Sequence, residues 1–344
     1  MNNKNNTSYP IDMIVYWVDG NDAKWQAEKR KYEKTRSECE RNLEEIRYRD
    51  WGCLKYLFRG ISKYASWVNK VYFVTCGQIP KWLKTDCEKL VIVNHNDYIP
   101  HKYLPTFSSR AIELNFHRIE GLSDHFIIVN DDFFFTNYVA RSDFFINGKP
   151  VDMFVEYPIM CGGHGGALFG HTLVNNFNLI ADYISRDQYK KIFTEKILNP
   201  RYGMYFFYNL IQYIIPYPKF FGVLTPHIAM PYLKESFNEI WDNEYELLNK
   251  TCMNKFRSET DVNIYVVRLW NLLKGNFVPR NVLAEGKNMQ ISNNPAIFSA
   301  IEKNKYKRIC LNDAKCSESE YIQIKKRLQN SFEKILPEKS IYEM

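Results

Sequence analysis

Four short runs of this chain are apolar almost without interruption: Asp12–Val18 (DMIVYWV), Val71–Thr75 (VYFVT), Leu90–Asn94 (LVIVN) and Phe126–Asn130 (FIIVN). Runs this short, rich in Val, Ile and aromatic residues, suit strands covered on both faces, as in a parallel sheet. Helical spacing appears between them. Leu54, Leu57, Phe58 and Ile61 form one stripe of Leu54–Tyr64. Ile112, Phe116 and Ile119 form another in Arg110–Leu122, which Ser108 or Ser109 can cap and Gly121 can end. Alternating strand and helix predicts an α/β sandwich with right-handed crossovers.

After about residue 150 the pattern changes. CGGHGGALFG (Cys161–Gly170) is too rich in glycine for regular structure, and Pro-punctuated aromatic segments follow. Helices are expected near Ser236–Asn249, Ile264–Leu273 and Glu318–Leu336. The last starts on Ser317-x-x-Glu320, a capping-box pattern, with Ile324, Leu328 and Phe332 as its apolar stripe. The division expected is a disordered 1–10, an α/β core over 11–150, and a helical, loop-rich 151–344 completing one catalytic unit.

With 45% apolar residues in 344, the chain can bury a sizeable core. No apolar run approaches the ~18 residues of a membrane span, and the polar start is unlike a signal peptide, so a cytoplasmic protein is expected. Eight scattered cysteines without a C-x-x-C pair argue for free thiols rather than zinc. The net charge of +7 is too dispersed for nucleic acid but compatible with an anionic substrate or a weak hold on an anionic membrane.

Three apolar segments end in acids: WVDGND (Trp17–Asp22), NDD (Asn130–Asp132) and CLND, closing at Asp313. Ligands of open α/β sheets bind at the carboxyl ends of strands. Acids gathered there repel one another unless a cation such as Mg²⁺ or Mn²⁺ sits between them, although Asp and Asn also simply favour turns. Glu113 and His117 stand four apart, on one helix face, with Arg110 and Arg118 nearby. That face could be a solvated ion-pair surface. Arg47 and Arg49 of RYRD could clamp phosphate or be surface charge. His227 in LTPHIAMP reads equally as a packed core histidine, Arg257 is ambiguous by itself, and the glycines around His164 lack a nucleotide-binding signature.

Taken together, these motifs resemble the Stealth family of sugar-1-phosphate transferases, which includes streptococcal-type capsular polysaccharide phosphotransferases and the animal N-acetylglucosamine-1-phosphotransferase. The resemblance runs in order through Ile11–Asp22, Arg47–Leu83 with Leu104–Phe135, Thr225–Val262 and Tyr306–Asp313, well over half the chain. Departures exist. Cys53 stands where the family often has an acid, Lys55 replaces an arginine, and Pro231 follows His227 by four residues instead of two. They bear on acceptor specificity more than on chemistry.

The resemblance implies a Rossmann-like, glycosyltransferase-like, mostly parallel sheet with helices on both faces and a largely helical C-terminal elaboration. It implies a nucleotide-sugar donor, a UDP-hexose or UDP-N-acetylhexosamine, with Mg²⁺ or Mn²⁺. An acceptor hydroxyl on a glycan or lipid-linked glycan attacks the phosphorus, and UMP leaves. His227 is then the base, Arg257 the phosphate clamp, and Asp131, Asp132 and Asp313 the metal acids, with Asp132 favoured over Asp131 for direct contact. Asp19, Asp22, Arg47, Arg49, Glu113, His117, Arg118 and Asn130 fall to the substrates. The rival is a metal-dependent glycosyltransferase releasing UDP; a non-catalytic binding protein is a weaker third. The C-terminal helix, with Lys325, Lys326 and Arg327 beside its apolar stripe, could touch a membrane or only pack. Oligomeric state stays open.

Overall fold

The computed structural model describes residues 9–33, 48–160 and 167–344. Its strands are β1 (Ile11–Tyr16), β2 (Val71–Thr75), β3 (Leu90–Asn94), β4 (His125–Asn130), β5 (Phe133–Phe135), β6 (Phe145–Ile146), β7 (Lys149–Asp152), β8 (Met230–Leu233), β9 (Val278–Pro279), β10 (Gly286–Gln290) and β11 (Arg308–Asn312). Five of them form the central sheet, in the order β3-β2-β1-β4-β8. β1 to β4 are parallel and β8 runs antiparallel to β4.

Why the strands lack polar alternation is now plain, because successive residues enter two different cores. Ile14, Val74, Phe126 and Ile128 pack on one face. Met13, Val15, Phe73, Ile127 and Val129 pack on the other. The order places β2 on one side of β1 and β4 on the other. Chain segments leaving the carboxyl ends of β1 and β4 therefore diverge and open a crevice between them.

β4 ends in a turn at Asp131–Asp132, and the chain continues as β5 into a second sheet, ordered β10-β11-β5. Cys310 of β11 lies opposite Phe133, and the Leu311 N–H donates to the Asp132 carbonyl at 2.9 Å. The acid pair is thus the corner between two sheets. The helix Leu54–Tyr64 presses on β5, and Gly60 lets it approach: a Cβ there would stand 2.7 Å from the Phe135 carbonyl oxygen.

Several elements differ from expectation. The helix expected over Arg110–Leu122 covers only Ser109–Leu114, and a 3₁₀ turn follows at Phe116–Arg118. Asn115 ends it, because its amide donates to the Ala111 carbonyl at 2.8 Å. Ser108 occupies the N-cap position without a side-chain hydrogen bond. The helix expected over Ser236–Asn249 is two, Lys234–Asn243 and Tyr245–Met253. Residues 167–170 of the glycine-rich stretch belong to the helix Ala167–Tyr183, while 161–166, like 1–8, lie outside the described residues. The helix Glu318–Ile335 carries the Ser317–Glu320 capping box and buries Ile324, Leu328 and Phe332. Residues 11–150 do not complete the core alone, since β8 extends their sheet and β11 pairs with β5. Among the described residues no helix is long and apolar enough to cross a membrane.

Candidate active site

The crevice is built first from strand ends in register. Tyr16 and Asn130 close β1 and β4 directly opposite each other. The Tyr16 hydroxyl lies 2.8 Å from Glu113 Oε1 and 2.7 Å from Asn130 Oδ1, and its one proton serves one of them at a time. Burial and the Glu113 charge push the Tyr16 pKa well above its ordinary value, with smaller contributions from Asp132 and Asp131. Glu113 is buried and its pKa is raised by that burial, partly offset by the Tyr16 hydroxyl and the Arg257 charge. One hydrogen-bonded cluster therefore joins β1, β4 and the helix Ser109–Leu114.

Asp131 and Asp132 sit at the corner beyond Asn130. Strand geometry does not persist through them, because the turn breaks it. Asp131 is open to solvent at the mouth, yet protein surrounds it on its other sides. Desolvation and the neighbouring Asp132 push its pKa up to about 8. Asp132 turns inward. The Cys310 thiol donates weakly to its Oδ2 at 3.4 Å, and its Oδ1 is buried with no partner.

His227 reaches this corner from the segment before β8. Its ring meets Phe133 edge-on at 5.1 Å, and its Nδ1 is 2.6 Å from the Tyr265 hydroxyl. Burial lowers its pKa below the ordinary value, while Asp132 pulls it back up and Arg257 pushes it down. The Asp132 carboxylate, a His227 ring nitrogen and the Cys310 sulfur all come within 4.8 Å of one another.

Arg257 borders the pocket through a 2.7 Å hydrogen bond from Nη2 to Ser109 Oγ. A buried neighbour sets its position. The Arg110 guanidinium donates to Asp261 Oδ2 at 2.7 Å and to the Ser258 carbonyl at 2.6 Å, tying the Arg257–Asp261 loop to the helix.

Other expected residues are placed elsewhere or otherwise engaged. Asp22 Oδ1 caps the helix Ala23–Tyr32 by accepting from the Trp25 N–H at 2.7 Å. Asp19 Oδ1 accepts from the Asn21 N–H at 2.9 Å within the turn after β1. His117 stacks on Phe237 at 5.4 Å, and the Arg118 guanidinium lies 4.9 Å over Trp241, so both face the helix Lys234–Asn243. Arg49 Nη1 stands 3.7 Å from Asp313 Oδ1, so this arginine meets an acid rather than being held free for phosphate. Arg47 lies outside the described residues.

Family models match twice: Stealth protein CR1, conserved region 1, over residues 9–37, and Stealth protein CR2, conserved region 2, over 47–152. A capsular polysaccharide phosphotransferase, WcwK of Streptococcus pneumoniae, is 38% identical over 97% of this chain and 98% of its own length. The exopolysaccharide phosphotransferase cps2G of Lactiplantibacillus plantarum is 36% identical over 97% of this chain and 96% of its own. The receptor polysaccharide phosphotransferase WefC of Streptococcus oralis is 34% identical over 97% and 99%. The chain belongs to the Stealth family. It is a transferase enzyme, as these full-length relatives are. Among solved structures, the apo glycosyltransferase GlyE of S. pneumoniae covers 89% of this chain at 9% identity, but its TM-score of 0.24 is too low to inform the fold.

In this Stealth chain, conserved region 2 contributes Glu113, Asn130 and the acid corner, whereas His227, Arg257, Tyr265 and Cys310 come from beyond it. Tyr16, Tyr265, Cys310 and Asp261 were not singled out from the sequence. Tyr16 and Cys310 read as ordinary core residues of apolar strands; only the i, i+2 spacing of Cys310 and Asn312, which puts both on one strand face, hinted otherwise.

Among the described residues two carboxylate oxygens are buried without a hydrogen bond of good geometry, Asp132 Oδ1 and Asp313 Oδ2, the Asp313 carboxylate having the Trp51 side chain beside it. Closing such oxygens off from water is costly unless a proton or cation answers them. They suit a hard divalent ion bound through oxygen. The cluster of Asp132, His227 and Cys310 adds softer donors, but burial and the Asp132 charge drive the Cys310 pKa far upward, so this thiol stays protonated. Neither Asp131 nor Asp313 joins that three-residue cluster among the described residues.

Proposed function

We propose that this enzyme transfers sugar-1-phosphate from a nucleotide sugar, a UDP-hexose or UDP-N-acetylhexosamine, to a hydroxyl of an acceptor glycan in capsular or cell-surface polysaccharide synthesis. Phosphotransfer and polysaccharide synthesis rest on the kinship; the donor, the leaving group and the residue roles are our reading. The observation that carries it is the approach of a His227 ring nitrogen to within 4.8 Å of the Asp132 carboxylate, one oxygen of which has no partner, at the sheet's switch point.

In the step proposed, the acceptor oxygen bonds to the phosphorus that carries the sugar. The phosphoanhydride P–O bond breaks, and UMP leaves with its electron pair. The hydroxyl proton passes to His227. In the tautomer whose Nδ1–H donates to the Tyr265 oxygen, Nε2 accepts that proton, and the Asn312 side chain, also hydrogen-bonded to the ring, favours the charged form that results. Burial keeps the imidazole neutral at pH 7. Arg257 holds the phosphate charge, and the Arg110–Asp261 pair keeps it in place. Asp131, Asp132 and Asp313 would hold Mg²⁺ or Mn²⁺, which when bound supplies charge neutralisation to the diphosphate. Transfer of this kind depends on positioning and electrostatics more than on covalent help.

The test is to incubate the protein with acceptor glycan and a panel of nucleotide sugars, then identify the nucleotide released. UMP together with a phosphodiester signal in ³¹P NMR supports the reading. UDP with a phosphate-free glycoside overturns it in favour of a metal-dependent glycosyltransferase.

A further inference from the structure

The helix Met204–Ile214 is apolar on both faces: Tyr205, Phe206, Tyr208 and Tyr213 pack on the core, and further apolar side chains point outward. Among those inward aromatics Asn209 fixes the helix: it is 1% exposed, donates to the Phe154 and Ile197 carbonyls at 2.7 and 2.8 Å, and accepts from the Glu156 N–H at 3.2 Å. Its outward face is apolar. Met204, Phe207, Ile211 and Ile214 follow one another at helical spacing and are 79%, 58%, 58% and 70% exposed. Tyr217, just beyond, is exposed too. A soluble surface rarely carries so many protruding apolar side chains together unless something covers them.

The face is also firmly mounted. Arg186 is 1% exposed and holds the Glu156 carboxylate through its Nε at 2.8 Å. Its other nitrogens donate to the carbonyls of Gln212, Ile215 and Tyr217, at the end of the helix and just past it. The projection is therefore a rigid feature of the fold.

Charge identifies the occupant. From Tyr202 to Pro218 the chain has no charged residue. Exposed Lys191, Arg201 and Lys219 border this stretch, and Lys190 lies 4.7 Å over the Tyr213 ring of the helix itself. Asp187 and Glu195 are the acids of the same region, fewer than the bases. A twofold contact with a second copy would bring the basic borders together, which like-charge repulsion opposes. An apolar, aromatic ridge bordered by lysine and arginine suits the boundary between headgroups and acyl chains of an anionic bilayer. We infer that the helix Met204–Ile214 docks the enzyme on the surface of an anionic lipid membrane. This inference does not rest on the proposed reaction.

The helix Glu318–Ile335, the sequence's own candidate for membrane contact, spends its stripe on the core instead.

Co-sedimentation of the full chain with phosphatidylcholine vesicles, with and without phosphatidylglycerol, tests the inference in the absence of any donor. Binding should require phosphatidylglycerol and weaken with salt. The double variant Phe207→Ser/Ile211→Ser should lose about tenfold or more in partitioning, with unchanged thermal midpoint and unchanged turnover on a water-soluble acceptor. Reversing the border charges (Lys191→Glu/Lys219→Glu) should also reduce binding. No binding by the wild type, or equal binding by the double variant, overturns the proposal. So does light scattering that shows a wild-type dimer made monomeric by Phe207→Ser/Ile211→Ser. Because vesicle binding is read without donor or acceptor, its failure and the failure of the proposed reaction are separate outcomes.

Discussion

At the scale of single residues, the site is a balance between burial and charge. The His227 pKa is held below its ordinary value by burial and drawn back up by Asp132. A base works only unprotonated, so activity should rise with pH and level off below about pH 6.5, the ordinary histidine value. In Asp132→Asn, losing the opposing charge lowers the His227 pKa further, so any residual activity should have its acid limb at lower pH. A kcat/KM profile of both proteins checks this; a limb above 6.5, or one surviving in His227→Ala, would contradict the assignment. His227→Ala itself should cost on the order of 10²–10⁴ in turnover. Asp132→Asn and Asp313→Asn each remove a charge beside an unpartnered oxygen. Each should shift a Mg²⁺ titration of activity to concentrations about tenfold higher or more. An unchanged titration would remove that acid from the metal site. Most of these residues became legible through family motifs and not through spacing. His227 among prolines looks like any core histidine. Tyr265 and Cys310 give no chemical signal in the sequence because their contacts with His227 and Asp132 exist only after β11, β5 and the helix Tyr265–Leu273 meet.

At the scale of elements, strands that bury both faces were easy to read, because an unbroken apolar run has few other uses. β8 (MPYL) was missed since it is short and contains a proline, tolerated at the sheet edge. β10 (GKNMQ) was missed because it is a polar, mostly exposed edge. The helix Leu54–Tyr64 was legible, but not how tightly it would dock. Gly60→Ala would gain about 1 kcal/mol of intrinsic helix preference. Against that, the new Cβ meets the Phe135 carbonyl oxygen at 2.7 Å, and β5 is pinned by its pairing with β11. Overpacking of this kind costs roughly 1–3 kcal/mol, so the net change should be destabilising. Urea unfolding of the variant gives the sign directly.

At the scale of the molecule, the two halves of the sequence are interleaved more than their composition suggests. Residues near the end of the chain clamp the first half. Glu343 pairs with Arg59 at 3.0 Å, with side chains 4% and 7% exposed, and the Met344 N–H donates to the Trp82 carbonyl at 2.9 Å. Glu343→Ala would leave the Arg59 charge short of its main partner and should cost on the order of 3 kcal/mol in a denaturant titration. For Glu343, burial raises the pKa, but the hydrogen bonds from Arg59 and Ser340 outweigh it and the folded value is depressed. The pair's contribution is therefore present above the unfolded glutamate value and fades as pH falls through the lower folded one. Such long-range pairing leaves no periodic trace, since Arg59 and Glu343 each read as surface charges.

The corner at Asp131–Asp132 has a mechanical consequence. A hinge and a reaction centre are usually kept apart, so that one can flex while the other stays true. On the proposed reading they coincide: the joint between two sheets carries the candidate acids. Any swing of the β10-β11-β5 sheet against the central one would pull Cys310 away from His227. The enzyme cannot loosen at this joint and still hold its acids in place. Whatever clasps those acids together also fastens the two sheets to each other.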